Sequence, residues 1–154
     1  MTRREHDQGD GDERTRREGV EHERARDRRG PAVLVVDDDP SIQGFLAEAL
    51  ADEGYAVRTA DHGRQALDVL DVWRPHLILL DLMMPEMDGW AFRDEQCRRA
   101  EVAAIPVIVL SATRDLEARA EALAPARVFS KPFDLNALLV AIGELLPIGA
   151  ACGE

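Results

Sequence analysis

The chain has 154 residues, enough for one domain of ordinary size. Its 45% hydrophobic content can fill that domain's core, and the length leaves no room for a second folded unit. The formal charge of −11 lies wholly beyond residue 30: residues 1–30 hold nine acids and nine arginines, while 31–154 carry 21 acids against 10 bases, which disfavours nucleic acid as a partner of the folded part, and none is expected. No apolar run approaches the roughly 18–20 residues of a membrane span, the N-terminus is charged where an export signal is apolar, and Cys97 and Cys152 lack metal-ligand spacing, so the expectation is a cytoplasmic protein with reduced thiols and no membrane partner.

Residues 1–30 interleave Arg, Glu and Asp with no aromatic and almost no aliphatic side chain. Such a segment cannot bury enough surface to offset its ordering entropy, which predicts a disordered charged tail. The character changes at Pro31. Ala32, Val33, Leu34, Val35 and Val36 form an apolar run of the kind buried on both faces of a parallel sheet, and it ends in Asp37, Asp38 and Asp39. Asp39 and Pro40 read as N-cap and first helical residue, with Ile42, Phe45, Leu46, Ala49 and Leu50 as the apolar stripe and Gly54 as the stop. Residues 55–60 (YAVRTA) predict a short strand. Asp61 is then expected to cap a helix with Ala66, Leu67 and Leu70 inward and Pro75 closing it.

Leu77, Ile78, Leu79 and Leu80 form a second fully apolar strand, running straight into Asp81 and a turn-rich loop through Pro85 and Gly89. A charged helix over 90–100 follows, the least periodic in the chain, with Trp90 and Phe92 as its core contacts. Residues 105–110 (IPVIVL) predict a strand ending at Ser111, residues 114–123 a short helix, and residues 127–129 a brief strand before Lys131. Asp134 caps a last helix with Leu135, Leu138, Leu139, Ile142, Leu145 and Leu146 inward, stopped by Pro147. Five βα repeats predict an α/β fold, a five-stranded parallel sheet between two helical layers.

In such a sheet the carboxyl ends of the strands share one edge, where ligands bind. That edge collects Asp37, Asp38, Asp81, Ser111 and Lys131. Lys131 is the only lysine in a chain with 18 arginines, which points to a site needing a compact ammonium rather than a planar fork. Gathered carboxylates repel one another, and Mg2+ held by oxygen ligands relieves that repulsion. Asp81 could then act as a nucleophile toward phosphorus, with Lys131 neutralising phosphoryl oxygens and the Ser111 hydroxyl donating to one of them. His62 and His76 lack partners at ligand spacing and are expected on the surface or at caps. Cys97 shows no sign of redox use.

Between Ala32 and Pro147 the chain resembles the receiver domain of bacterial two-component response regulators, through VLVVDDDP, LILLDLMMPEMDG, VIVLSA and KPF, in that order. The resemblance implies a flavodoxin-like (βα)5 sheet with strand order 2-1-3-4-5, a receiver domain over 31–148, and a short C-terminal tail over 149–154. It implies Asp81 as phosphoacceptor, fed by a sensor histidine kinase or phosphotransfer protein. Asp38 would ligate Mg2+ directly and Asp37 largely through water, with the backbone carbonyl of Met83 completing the set. Ser111 would be the switch hydroxyl and Lys131 the phosphate contact, with a cis peptide to Pro132. With seven residues after Pro147 no effector is expected, so output would be binding to a downstream protein; phosphorylation-dependent homodimerisation stays open.

Three departures from the pattern matter. Val128 stands where an aromatic residue is usual, with Phe129 displaced by one. The segment between Ser111 and Lys131 is somewhat short, with Ala124, Pro125 and Ala126 in place of the usual Gly-Ala. Met83 and Thr113 occupy the positions that tune dephosphorylation, and neither orients a water well, which predicts a long-lived phosphoryl group. The alternative is a magnesium-dependent phosphatase of the haloacid-dehalogenase type, which also uses a strand-end aspartate; its second aspartate, two residues on, is here Met83, and no glycine-rich phosphate loop is present. The expectation is therefore a switch that catalyses only its own phosphorylation and dephosphorylation.

Overall fold

The computed structural model describes residues 30–112 and 123–146. Over these residues the predicted strands form β1 (Ala32–Val36), β2 (Ala56–Ala60), β3 (Leu77–Asp81), β4 (Val107–Ser111) and β5 (Arg127–Ser130). All neighbours pair in parallel, in the order β2-β1-β3-β4-β5. Four helices are described: α1 (Pro40–Asp52), α2 (Gly63–Val72), α3 (Gly89–Arg98) and α4 (Leu135–Leu145). The expectations for the tail over 1–29, for Thr113, for the helix over 114–122, for Pro147 and for Cys152 lie outside the described residues.

Every residue of β1, β3 and β4 is buried, which is why these strands read as continuous apolar runs and not as alternating ones. Successive side chains point to opposite faces. Leu34, Val36, Ile78, Leu80, Val107 and Val109 therefore meet α2 and α3 through Ala66, Leu67, Leu70 and Phe92. Val33, Val35, Leu77, Leu79, Ile108 and Leu110 meet α1 and α4 through Leu46, Leu50, Leu138 and Ile142. The same alternation decides the aromatic question in β5. Val128 packs on the α2 and α3 side and Phe129 on the other, so Phe129 cannot stand in for a residue at position 128.

Several boundaries move for identifiable reasons. β4 begins at Val107 and not at Ile105, because Pro106 has no N–H for the ladder and the Ile105 N–H is spent on the Val102 carbonyl at 3.1 Å. Phe45, expected inside, is 53% exposed. One residue from Leu46, it sits about 100° around the helix and falls off a stripe centred on Leu46 and Leu50. The cap of α2 is His62 and not Asp61: His62 Nδ1 accepts the Gln65 N–H at 3.2 Å, and Asp61 lies one residue outside. α1 starts as read, with Asp39 Oδ1 accepting the Ser41 N–H at 2.9 Å, and Gly54 ends it at φ 99°, a conformation open to glycine. α3 begins one residue early, capped by Asp88, and its weak periodicity has a cause. Its buried Gln96 donates from Nε2 to the carbonyls of Val102 (3.0 Å) and Ile105 (3.1 Å), so a polar side chain fills an interior position. His76 is a docking group rather than a catalytic one, its Nδ1 accepting the Ala32 N–H at 2.9 Å.

Candidate functional site

Because all five strands run parallel, their carboxyl ends meet at one edge. Asp37 and Asp38 follow β1, Asp81 is the last residue of β3, Ser111 the last of β4, and Lys131 follows β5. Asp37 is fully buried. Its Oδ2 accepts from Lys131 Nζ at 2.9 Å, its Oδ1 accepts the Asp39 N–H at 2.9 Å, and its own N–H donates to the Ala60 carbonyl at 3.1 Å. Asp81 is 4% exposed; its Oδ1 accepts the Met83 N–H at 3.3 Å and stands 3.5 Å from Lys131 Nζ. Ser111 is fully buried, and its carbonyl accepts the Lys131 N–H at 2.6 Å. The Lys131–Pro132 peptide is cis. Asp38 is exposed, and one carboxylate oxygen from each of Asp37, Asp38 and Asp81 lies within 4.8 Å of the other two.

The electrostatics follow from that crowding. The Asp81 carboxyl is pushed up to about 6, first by burial, then by the charge of Asp37; a hydrogen bond with Asp38 adds to the rise. Lys131 and the Met83 N–H pull the other way and are outweighed. For Lys131, burial alone would favour the neutral amine, but its hydrogen bond to Asp37 and the charges of Asp81 and Asp37 override this and hold the ammonium more firmly. Among the described residues, Lys131 thus pairs with two of the three clustered acids, Asp37 and Asp81, which leaves the cluster short of positive charge. An all-oxygen donor set with this deficit fits a hard divalent cation such as Mg2+ better than a soft metal.

Two supports of this edge left no mark in the sequence. Gln43 of α1 donates from Nε2 to the carbonyls of Asp37 (3.0 Å) and Ala60 (3.1 Å) and to Asp61 Oδ1 (2.9 Å), so it ties the end of β1 to the turn after β2. Asp61 is held in addition by Gln65, whose Oε1 accepts its N–H. The second support is the contact of Gly63 with Met87. Among the described residues no helix is long and apolar enough to cross a membrane.

Residues 33–143 match the family model of the response regulator receiver domain. Response regulator MprA of Mycolicibacterium vanbaalenii is 36% identical over 118 residues, which cover 74% of this chain and 49% of that protein, so the chain spans about half the length of this curated relative. Sporulation initiation phosphotransferase F of Bacillus subtilis is 37% identical over 120 residues, 75% of this chain and 94% of that protein. Among solved structures, response regulator protein TrrA of Thermotoga maritima in complex with Mg2+-BeF is similar with a TM-score of 0.68 and 29% identity, covering 75% of this chain and 99% of that one. The matched span takes in every strand end described above, and with it the chain belongs to the response regulator receiver domain family, the receiver domain of two-component phosphorelay signalling.

Proposed function

We propose that Asp81 accepts a phosphoryl group from a phosphohistidine on a sensor histidine kinase or phosphotransfer protein, and that the modified domain signals by altered binding to a downstream protein. The observation that carries this is the placement of one almost fully buried carboxylate between two other acids and a single ammonium, at the edge where parallel sheets bind ligands. In the transfer an Asp81 carboxylate oxygen forms a bond to phosphorus while the phosphorus–nitrogen bond of phosphohistidine breaks, the imidazole keeping the electron pair. Lys131 Nζ stands where it can neutralise a phosphoryl oxygen on Asp81. Ser111, at the end of the adjacent strand, is in place to supply its hydroxyl to another.

Mg2+ would be held by Asp38 and Asp81, by the Met83 backbone carbonyl, and by Asp37 largely through water; it would neutralise the growing charge on the phosphoryl oxygens. The division between the two N-terminal acids has physical support. Both Asp37 oxygens are already engaged, by Lys131 and by the Asp39 N–H, while Asp38 is exposed. The similarity to TrrA, solved in complex with Mg2+-BeF, supports a cation at this edge.

The decisive experiment is incubation with acetyl phosphate and Mg2+, followed by mass spectrometric mapping of the modified residue. A stoichiometric, base-labile acyl phosphate on Asp81 that requires Mg2+ is expected. A label elsewhere, or multiple turnover of phosphate esters, would sink the proposal and favour the phosphatase alternative. The lifetime of the label is a separate prediction. The exposed Met83, two residues beyond Asp81, offers no acid or amide to orient a hydrolytic water, so the isolated protein should stay phosphorylated for many minutes. Decay within seconds, followed by loss of the added mass, would show that another group performs that role.

A further inference from the structure

The loop of residues 82–88 carries Met83, whose N–H bonds Asp81 and whose carbonyl is a proposed metal ligand. The Gly89 N–H closes the loop's base by donating to the Leu82 carbonyl at 3.0 Å. Its far end is fastened to a different element. The Gly63 N–H, in the first turn of α2, donates to the Met87 carbonyl at 3.0 Å. A Cβ on Gly63 would lie 2.8 Å from that same oxygen and 2.7 Å from Met87 Cγ. Gly63 does not have the positive φ that makes glycine a conformational need; what the position requires is space.

The residue before it grips the same loop. Since His62 Nδ1 accepts the Gln65 N–H, the proton of the neutral imidazole is on Nε2, which faces Glu86 Oε2 at 3.3 Å. Glu86 is itself held at φ 64°, outside the range most side chains adopt. Asp61, directly before His62, accepts from Gln43, which also holds the Asp37 carbonyl. One turn, residues 61–63, is therefore braced on its one side to the strand end bearing Asp37 and Asp38 and on its other to the loop bearing Met83.

We infer that Gly63 is a positioning residue for the metal-binding half of the site: its missing side chain lets the loop after Asp81 close against α2, and this sets where the Met83 carbonyl stands relative to Asp37 and Asp38. The inference rests on the phosphoacceptor reading above and extends it to a residue that touches neither metal nor phosphoryl group. A methyl group at position 63 pushes back the Met87 carbonyl, a backbone atom, and so moves the loop as a whole.

Calorimetric titration of the unphosphorylated protein with Mg2+ alone tests it. Gly63→Ala is expected to weaken Mg2+ binding by roughly 10–100-fold, the usual scale for losing an outer support of a metal site. His62→Asn serves as a second variant, because asparagine retains the helix cap but is too short for Glu86; it should bind Mg2+ a few-fold more weakly with an unchanged midpoint of thermal unfolding in chelator. A merely structural role would lower that midpoint and leave the affinity alone. If the wild type binds Mg2+ and the folded variants bind it equally well, the inference is overturned while the phosphoacceptor reading stands; should Gly63→Ala not fold, His62→Asn decides. If the wild type itself binds no Mg2+, the metal-assisted reading falls and the inference with it.

Discussion

Asp81→Asn is expected to abolish acyl phosphate formation and at the same time to make the metal-free protein more stable. The first effect follows from removing the proposed nucleophile: an amide oxygen in that place cannot form the mixed anhydride, and Asp37 and Asp38 are not at the end of β3. The second follows from the crowding of like charges. The Asp81 carboxyl stands at about 6 in the folded protein, raised chiefly by burial and by Asp37, against about 4 in the unfolded chain. The folded state therefore holds the Asp81 proton more tightly than the unfolded state does. Below about pH 4 both states are protonated and burial of this group carries no charge penalty. As pH rises from about 4 through 6 the wild type loses stability that the Asp81→Asn variant, with no proton to lose there, would keep.

Allowing for solvent screening of a cluster that includes the exposed Asp38, the gap at pH 7.5 in chelator should be about 1–2 kcal/mol, a rise of roughly 5–10 °C in the unfolding midpoint. It should close toward pH 4 and shrink when Mg2+ is added, since the cation binds the wild-type cluster more tightly. Thermal melts of both proteins across that pH range measure it. A gap that does not change with pH, or a variant less stable than wild type at neutral pH, would show that the cluster does not strain the carboxylate.

The sequence made some parts of this arrangement plain and left others silent, and the division has a physical basis. β1, β3 and β4 are buried on both faces, so each appears as an unbroken apolar run, and the polar residue that ends each run stands out. Asp37, Asp81 and Ser111 were visible for that reason, and Lys131 because the chain uses lysine nowhere else. Amphipathic detail was less secure. Phe45 fits an apolar count but lies off the stripe centred on Leu46 and Leu50, and Gln96 breaks a pattern because it satisfies two carbonyls inside the core. Braces between loops left no sequence signal at all. Gln43 meets Asp61 across 18 residues, and the contact between Gly63 and Met87 joins a helix to a separate loop; nothing in local composition marks a glycine that is required for space.

Lys131→Ala carries the other large effect: phosphoryl uptake should slow by roughly 10²–10³-fold, the cost typical of deleting one charged or donor group that meets developing oxyanion charge. The lysine is only 17% exposed, with Nζ 2.9 Å from Asp37 and 3.5 Å from Asp81, so its ammonium meets both carboxylates directly. Its removal also leaves the fully buried Asp37 without its ionic partner, and a loss of about 2–3 kcal/mol is expected in the metal-free protein, part of which Mg2+ should restore. Rates must therefore be compared at saturating Mg2+ and well below the unfolding midpoint. Lys131→Arg separates charge from shape: the planar guanidinium is broader than the ammonium that fits between two carboxylates, so stability should recover further than rate does. An alanine variant that takes up the phosphoryl group as fast as wild type, while remaining folded, would remove Lys131 from the chemistry and reduce it to a counter-ion for Asp37.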